Sequence, residues 1–247
     1  MTTIAASKTD AGRTAKHNQD YLWLDEAAAI YIVADGMGGQ EAGELASQLA
    51  ATTAGQFIAT RLETQAGPLS TTAAKDLVIG ALEAANETVM TAALEAKQDR
   101  RMGAAIVLAL VHLPQVYICH AGDARAYLVR NSSLTRLTTD DSWVAELVAK
   151  GLITEEQAQH HPLGHILTKA VGHESPLEPA FDEVTVTPGD WLLLCSDGLW
   201  KMVGDEQLLA ALQAPQITPA QAVETLVEAA NVAGGKDNIS LIVIRIV

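Results

Sequence analysis

The sequence predicts an α+β fold in which antiparallel sheets are covered by helices. Strand-like runs come mostly in consecutive groups joined by short turns, as antiparallel neighbours require. Two long helical stretches follow the first group and another precedes the last strand, so helices and strands do not alternate one for one. The 247 residues are 49% apolar, and no Ser/Pro/Gly-rich linker divides them. That suffices for one large core.

Asp10 to Asp20 reads as an extended lead-in segment. Tyr21 to Leu24 and Ile30 to Ala34 have strand composition, joined by an acidic turn at Asp25 and Glu26. Glu41 to Arg61 has few breakers and an acid in its first turn, the composition of a helix. A loop with Gly67 and Pro68 follows. Thr72 to Ala96 is a second helix, with Leu77, Ala81, Leu82, Ala85, Val89 and Ala92 at helical spacing. Ile106 to His112, Val116 to Ala121 and Arg125 to Arg130 are strands, the last closed by an Asn131-Ser132 turn. From Thr138 to Glu178 the chain turns loop-rich, with short helices at Ser142 to Lys150 and Thr154 to His160. Thr154-Glu155-Glu156-Gln157 is a capping box. Phe181 to Val186 and Trp191 to Cys195 are strands. Thr218-Pro219-Ala220-Gln221 opens a last helix reaching about Ala233, and Ile239 to Val247 closes as a strand.

Four aspartates stand at strand ends beside glycine: Asp35-Gly36, Gly122-Asp123, Asp197-Gly198, and Asp237 after Gly234-Gly235. Asp20 precedes another strand. Each Asp-Gly alone is a common turn. Their recurrence after long apolar runs points to carboxylates gathered at one rim. Such a gathering repels itself unless cations hold it. The all-oxygen set suits Mg2+ or Mn2+, commonly as a bridged pair. There is no Cys-x-x-Cys, and the His-x-x-x-His spacing of His161 and His165 encloses Pro162 and Gly164 in a loop-rich stretch, so it does not point to zinc.

The net charge of −14 argues against nucleic acid. No apolar run is expected to span a membrane, which takes ~20 residues. The N-terminus lacks the basic-then-apolar build of a signal peptide. Cys119 and Cys195 lie in apolar runs and read as buried thiols. A cytoplasmic location is the expectation. There is no Gly-x-Ser-x-Gly elbow, and both cysteines lie in apolar strand-like runs, so no protein nucleophile stands out.

Several blocks carry a resemblance. Asn18-Gln19-Asp20, Val33-Ala34-Asp35-Gly36-Met37-Gly38-Gly39, Ala121-Gly122-Asp123-Ala124-Arg125, Cys195-Ser196-Asp197-Gly198-Leu199 and Lys236-Asp237-Asn238 occur in this order. With Leu137 to Ser142 and Leu167 to Gly172, they resemble the type-2C metal-dependent protein phosphatase family in its compact bacterial form. The resemblance covers almost the whole chain.

It implies a four-layer α-β-β-α sandwich of two antiparallel sheets flanked by pairs of helices. It implies one phosphatase domain over 1–247 with a flap at about 138–178. The implied reaction is hydrolysis of protein phosphoserine and phosphothreonine by a metal-activated water at a binuclear Mg2+ or Mn2+ centre. In the family pattern Asp35 bridges both ions and Gly36 offers its carbonyl to one. Asp197 and Asp237 hold the other, and Asp20 sits near the second metal, mostly through water. Asp123 and Asp197 match the ligands of a third, weaker ion. Asp35, Asp123 and Asp197 are thus the catalytic set. Implied partners are phosphoprotein substrates and an opposing serine/threonine kinase, with the chain a monomer.

Four positions depart from the family pattern. Ala15 stands where a phosphate-gripping arginine is usual, Gly103-Ala104-Ala105 where Gly-Thr-Thr is, and Asp141 in place of a histidine. Met37 stands where many eukaryotic members have a histidine, so no general acid is assigned there. Arg13 is a candidate substitute for the missing arginine. In an extended segment residues two apart share a face, ~6.5–7 Å apart. Ala15 and Ala104-Ala105 also leave open a second reading, a catalytically weak module that binds phosphoproteins for regulation. His160, His161, His165 and His173 lie in the loop-rich stretch and are expected to pack or be solvated. Trp191 and Trp200 are expected to pack in the core.

Overall fold

The computed structural model describes residues 1–65, 67, 69–96 and 102–247; Pro68, in the expected loop, lies outside them. In chain order the elements begin with β1 (Thr3–Asp10), β2 (Asp20–Asp25), β3 (Ile30–Met37), α1 (Gln40–Glu63) and α2 (Thr71–Glu95). The middle supplies β4 (Gly103–His112), β5 (Gln115–Ala121), β6 (Arg125–Arg130), β7 (Ser133–Arg136), α3 (Trp143–Ala149) and α4 (Glu155–Gln159). The chain ends with β8 (Ala180–Thr185), β9 (Trp191–Cys195), α5 (Asp197–Trp200), α6 (Asp205–Leu212), α7 (Pro219–Val232) and β10 (Ile239–Ile246).

One sheet runs β1-β10-β9-β6-β7 and the other β2-β3-β4-β5-β8. Every pairing is antiparallel. Side-chain alternation along each strand sorts the core into three apolar layers. Ile30, Ile32, Ile106 and Leu108 face α1 and α2. Val33, Val107, Leu192, Leu194, Ile242 and Ile244 meet between the sheets. Leu193, Leu241 and Val243 face Leu208, Leu226 and Ala230 of α6 and α7. Three apolar layers separate four layers of structure, which is the α-β-β-α sandwich expected. Because the central strands are covered on both faces, they read as unbroken apolar runs.

α2 is long and apolar enough to cross a membrane, which corrects the expectation that no run would approach that length. Its apolar face, with Leu77, Val78, Leu82 and Val89, instead packs into the core layer beneath it. Ser70 caps it by accepting from the Ala73 amide at 3.2 Å. The capping boxes at Thr154 and Thr218 both form.

Four elements carry too little signal to be read from sequence. β1 and β7 are edge strands with exposed polar residues. α5 is a single turn and α6 spans only eight residues. Residues 10–20 also differ from expectation. β1 ends at Asp10 and the chain turns through 12–14 instead of running extended. Asn238 imposes the turn: its Nδ2 donates to the Ala11 and His17 carbonyls, both at 3.0 Å, and its Oδ1 accepts from the Gln19 amide at 2.8 Å.

The layering predicts a sharp contrast between two leucines. Leu194, fully buried between the sheets, should cost ~2–5 kcal/mol as Leu194→Ala. Leu94, 78% exposed, should change stability by less than ~0.5 kcal/mol as Leu94→Ala. Urea denaturation of both variants checks this.

Candidate metal centre

Both sheets end at the same edge, and the aspartates lie there. In the β2–β3 ladder Asp20 is the direct cross-strand partner of Asp35. Two like charges in that register destabilise a sheet unless something neutralises them. Gly36 continues β3, and its amide donates to the Gln19 carbonyl at 3.0 Å. A Cβ there would lie 1.9 Å from the Gly43 carbonyl of α1. Only glycine lets helix and strand meet so closely at the site.

The other sheet supplies the facing wall. Ser196, at the end of β9, donates from Oγ to Asp20 Oδ2 at 2.8 Å. The same Oγ accepts from the Ser240 amide of β10 at 3.0 Å. This hydroxyl therefore ties the two sheets together at the acid cluster. Asp197 opens α5 directly after it. Asp237 precedes β10, held against the 12–14 turn. A Cβ on Gly12, whose φ is +74°, would sit 2.2 Å from the Asp237 carbonyl.

Asp123 is set by a chain of contacts from the first sheet. Trp200 Nε1 donates to the Asp123 carbonyl at 3.0 Å. The Arg125 guanidinium lies 3.4 Å from the centroid of the Trp200 ring. Arg125 in turn binds Asp140 in a fork, Nε to Oδ1 at 2.9 Å and a terminal nitrogen to Oδ2 at 2.7 Å. A bidentate guanidinium is rigid, so the indole and the Asp123 backbone beneath it are fixed too.

The electrostatics follow from burial and crowding. Burial, with repulsion from Asp197 and Asp237, raises the Asp20 carboxyl from 3.8 to about 7 despite the Ser196 and Ser240 hydrogen bonds. Asp123 is likewise pushed to about 7, by burial first and then by Asp197. Asp35 is raised well above the carboxylate range by burial and by Asp20, Asp197, Asp123 and Asp237. These five acids feel one another's charge, so the fold has brought them to one place.

The donor set fits a hard divalent cation. Asp20 Oδ1 and Asp197 Oδ1 are buried with no hydrogen-bond partner. A buried carboxylate oxygen without a donor is costly unless a cation satisfies it. As the side chains lie, among the described residues no three Asp, Glu, His or Cys groups are drawn around a common point. Mutual repulsion holds unneutralised carboxylates apart.

The sequence profile described as Protein phosphatase 2C matches residues 10–231. The chain belongs to the protein phosphatase 2C family. It is 35% identical over 238 residues to Protein phosphatase PhpP of Streptococcus pneumoniae, covering 94% of this chain and 93% of that one. The crystal structure of the Mycobacterium tuberculosis serine/threonine phosphatase PstP/Ppp is 33% identical, with a TM-score of 0.86 over 100% of this chain and 99% of that one. The catalytic domain of PstP in complex with two manganese ions is 31% identical, with a TM-score of 0.84 over 98% and 97% of the two chains.

Within this phosphatase 2C fold, Asp20, Asp35, Gly36, Asp123, Asp197 and Asp237 share one rim. Arg13 does not join them through an extended strand. It sits in the 12–14 turn, exposed, with Nε donating to the Asn231 carbonyl at 2.8 Å and its amide bonded to the Gly235 carbonyl at 2.7 Å. The face shared with position 15 is lost because the segment turns. Ala104 and Ala105 pair in the sheet with Gly36 and Asp35 and are fully covered. Asp141 fastens the start of the 138–178 region: its Oδ2 accepts from the Gly122 amide at 3.2 Å, and its own amide donates to the Gly122 carbonyl at 2.9 Å. His161 packs on Trp143, 5.4 Å between centroids.

Two residues of the site were not legible in sequence. Trp200 packs against the outer apolar layer as expected, and its indole also holds the Asp123 carbonyl. Lys201 bonds Asp197 and lies 3.6 Å from Asp123. Burial opposes its charge, but Asp197 and Asp123 outweigh burial and raise its pKa. The signal for Lys201 was its place four residues after Asp197.

The raised carboxyls set the pH dependence of the metal-free protein. The folded state keeps the Asp20 proton that an unfolded chain releases near 3.8. This stabilisation is fully present below about 4 and is lost as pH rises to about 7. Thermal melting in chelator should therefore fall across that window, and Asp20→Asn should flatten the fall. Mn2+ at neutral pH should restore the melting temperature.

Proposed function

We propose that this chain hydrolyses phosphoserine and phosphothreonine in proteins, using Mg2+ or Mn2+ at a binuclear centre. The observation that carries this is the set of aspartates at one rim, Asp20 and Asp123 buried among them, with Asp20 Oδ1 and Asp197 Oδ1 left without a donor. Asp35 would bridge both ions, the Gly36 carbonyl would complete one, and Asp197 and Asp237 would hold the other. Asp20 orients from beneath, its second oxygen fixed by Ser196. When bound, the ions supply an acidified water and neutralise the phosphoryl oxygens.

The protein's own work is placement. The Ser196 hydroxyl locks the two strand ends, so Asp20 and Asp197 keep a fixed separation. Trp200 and Arg125 hold the Asp123 backbone. With Arg13 engaged at the end of α7, substrate phosphate is assigned to the ions themselves. Ala104 and Ala105 are lattice positions of β4, which favours an active enzyme over a silent phosphoprotein-binding module. The relatives' names support protein substrates. An opposing serine/threonine kinase, a cytoplasmic location and a monomeric state complete the reading.

Hydrolysis of an aryl phosphate and of a phosphorylated protein should require Mn2+ or Mg2+ and disappear in excess chelator. Asp35→Asn should lower kcat by several orders of magnitude, and Asp237→Ala should weaken metal binding. Full activity in chelator sinks the two-metal reading.

Phosphate affinity gives a separate test. Arg13→Ala should leave KM within about twofold. Ala15→Arg should lower it by about tenfold, since a charge-assisted phosphate contact is worth ~1.5–3 kcal/mol. Steady-state kinetics on both variants decides whether the Arg13 side chain touches substrate.

A further inference from the structure

The gap between Asp123 and Asp197 holds a cation that belongs to the chain. The Lys201 ammonium donates to Asp197 Oδ2 and lies 3.6 Å from Asp123 Oδ2. Lys201 follows Asp197 by four residues across the single turn of α5, so helical geometry returns its side chain to that carboxylate. The ammonium also stands 5.1 Å from the centroid of the Trp200 ring, and that indole donates to the Asp123 carbonyl. Asp197, Asp123 and the ring face form three walls of one pocket for a point charge.

An ordinary surface ion pair of helical spacing has two exposed partners and little effect. This one differs. The carboxylate side chains are only 14% and 8% exposed, and the lysine side chain 34%. Arg125, whose charge Asp123 also feels, is already committed to Asp140. Asp197 divides its oxygens: Oδ2 takes the ammonium while Oδ1 is left without a partner.

We propose that Lys201 is a tethered counter-cation that stands in place of a third divalent ion between Asp123 and Asp197. It is a positioning residue: it holds the two carboxylates as a pair and leaves Asp197 Oδ1 free for the binuclear centre. The inference rests on the two-ion reading above. A divalent ion entering the same gap would meet a like charge at contact distance, so this chain takes two ions where the bare acid set would take three.

The test is equilibrium dialysis of the full chain against Mn2+, with anomalous scattering from Mn2+-grown crystals to locate the ions. Wild type and Lys201→Arg should bind about two ions per chain, and Lys201→Met about three, the extra one between Asp123 and Asp197. Melting in chelator gives a readout independent of activity: Lys201→Met should melt below Lys201→Arg, and Mn2+ should close the difference. Lys201→Gln serves if Lys201→Met does not fold. Three ions on wild type, or two on both wild type and Lys201→Met, overturns the lysine assignment and leaves the binuclear centre standing. No bound Mn2+ on wild type overturns both.

Discussion

Five carboxylates at one edge of a protein are a standing electrostatic cost, and the rest of this structure is arranged around it. Asp20 and Asp35 face each other in one ladder. Asp123, Asp197 and Asp237 come in from the other sheet and its connections. Their mutual repulsion is strong because Asp20 and Asp123 are buried and Asp35 and Asp197 half-buried, with much of the screening water removed. Positive charge is therefore a structural requirement here and not only a catalytic aid. The chain meets part of it with Lys201, and the unpartnered oxygens of Asp20 and Asp197 await the rest.

What keeps acids in such a place is the apolar sandwich behind them. The three core layers run the length of the strands and end at the rim. Asp35 lies in β3, Asp123 and Asp197 follow β5 and β9, and Asp237 precedes β10, all strands with largely buried side chains. Their side chains can turn apart, but their backbones cannot separate without unpacking a layer. The Ser196 hydroxyl, shared between Asp20 and the Ser240 amide, joins the sheets where repulsion would otherwise open them. Function and folding stability thus pull in opposite directions at one edge, and close packing decides the outcome.

A second network sits beside the acids and works by rigidity. Asp140 fixes Arg125, Arg125 covers Trp200, and Trp200 holds both the Asp123 backbone and the Lys201 ammonium. Asp140 and Asp141 belong to the base of the 138–178 region, so that region is anchored to the metal rim through its first residues. Its far end is tied in as well, through the bridge of Val171 to Ala104, the cross-strand partner of Gly36.

The order of the acid blocks, the long helices and the central strands could all be read from sequence. Each is a local property: an apolar run, a helical period, a cap or an Asp-Gly at a strand end. Edge strands β1 and β7 and the short helices α5 and α6 could not, because few residues of each are buried and periodicity needs length. The course of residues 10–20 was misread for a different reason. Its turn is imposed by Asn238, more than two hundred residues away, and no local pattern encodes that bond. So the sequence alone determined which residues would be acids at strand ends and which family they signal. Only the tertiary structure decided that Arg13 turns to α7, that Trp200 serves Asp123, and that Lys201 stands between two aspartates. Those outcomes depend on distances between segments remote in the chain, and such distances exist only once the sheets have packed.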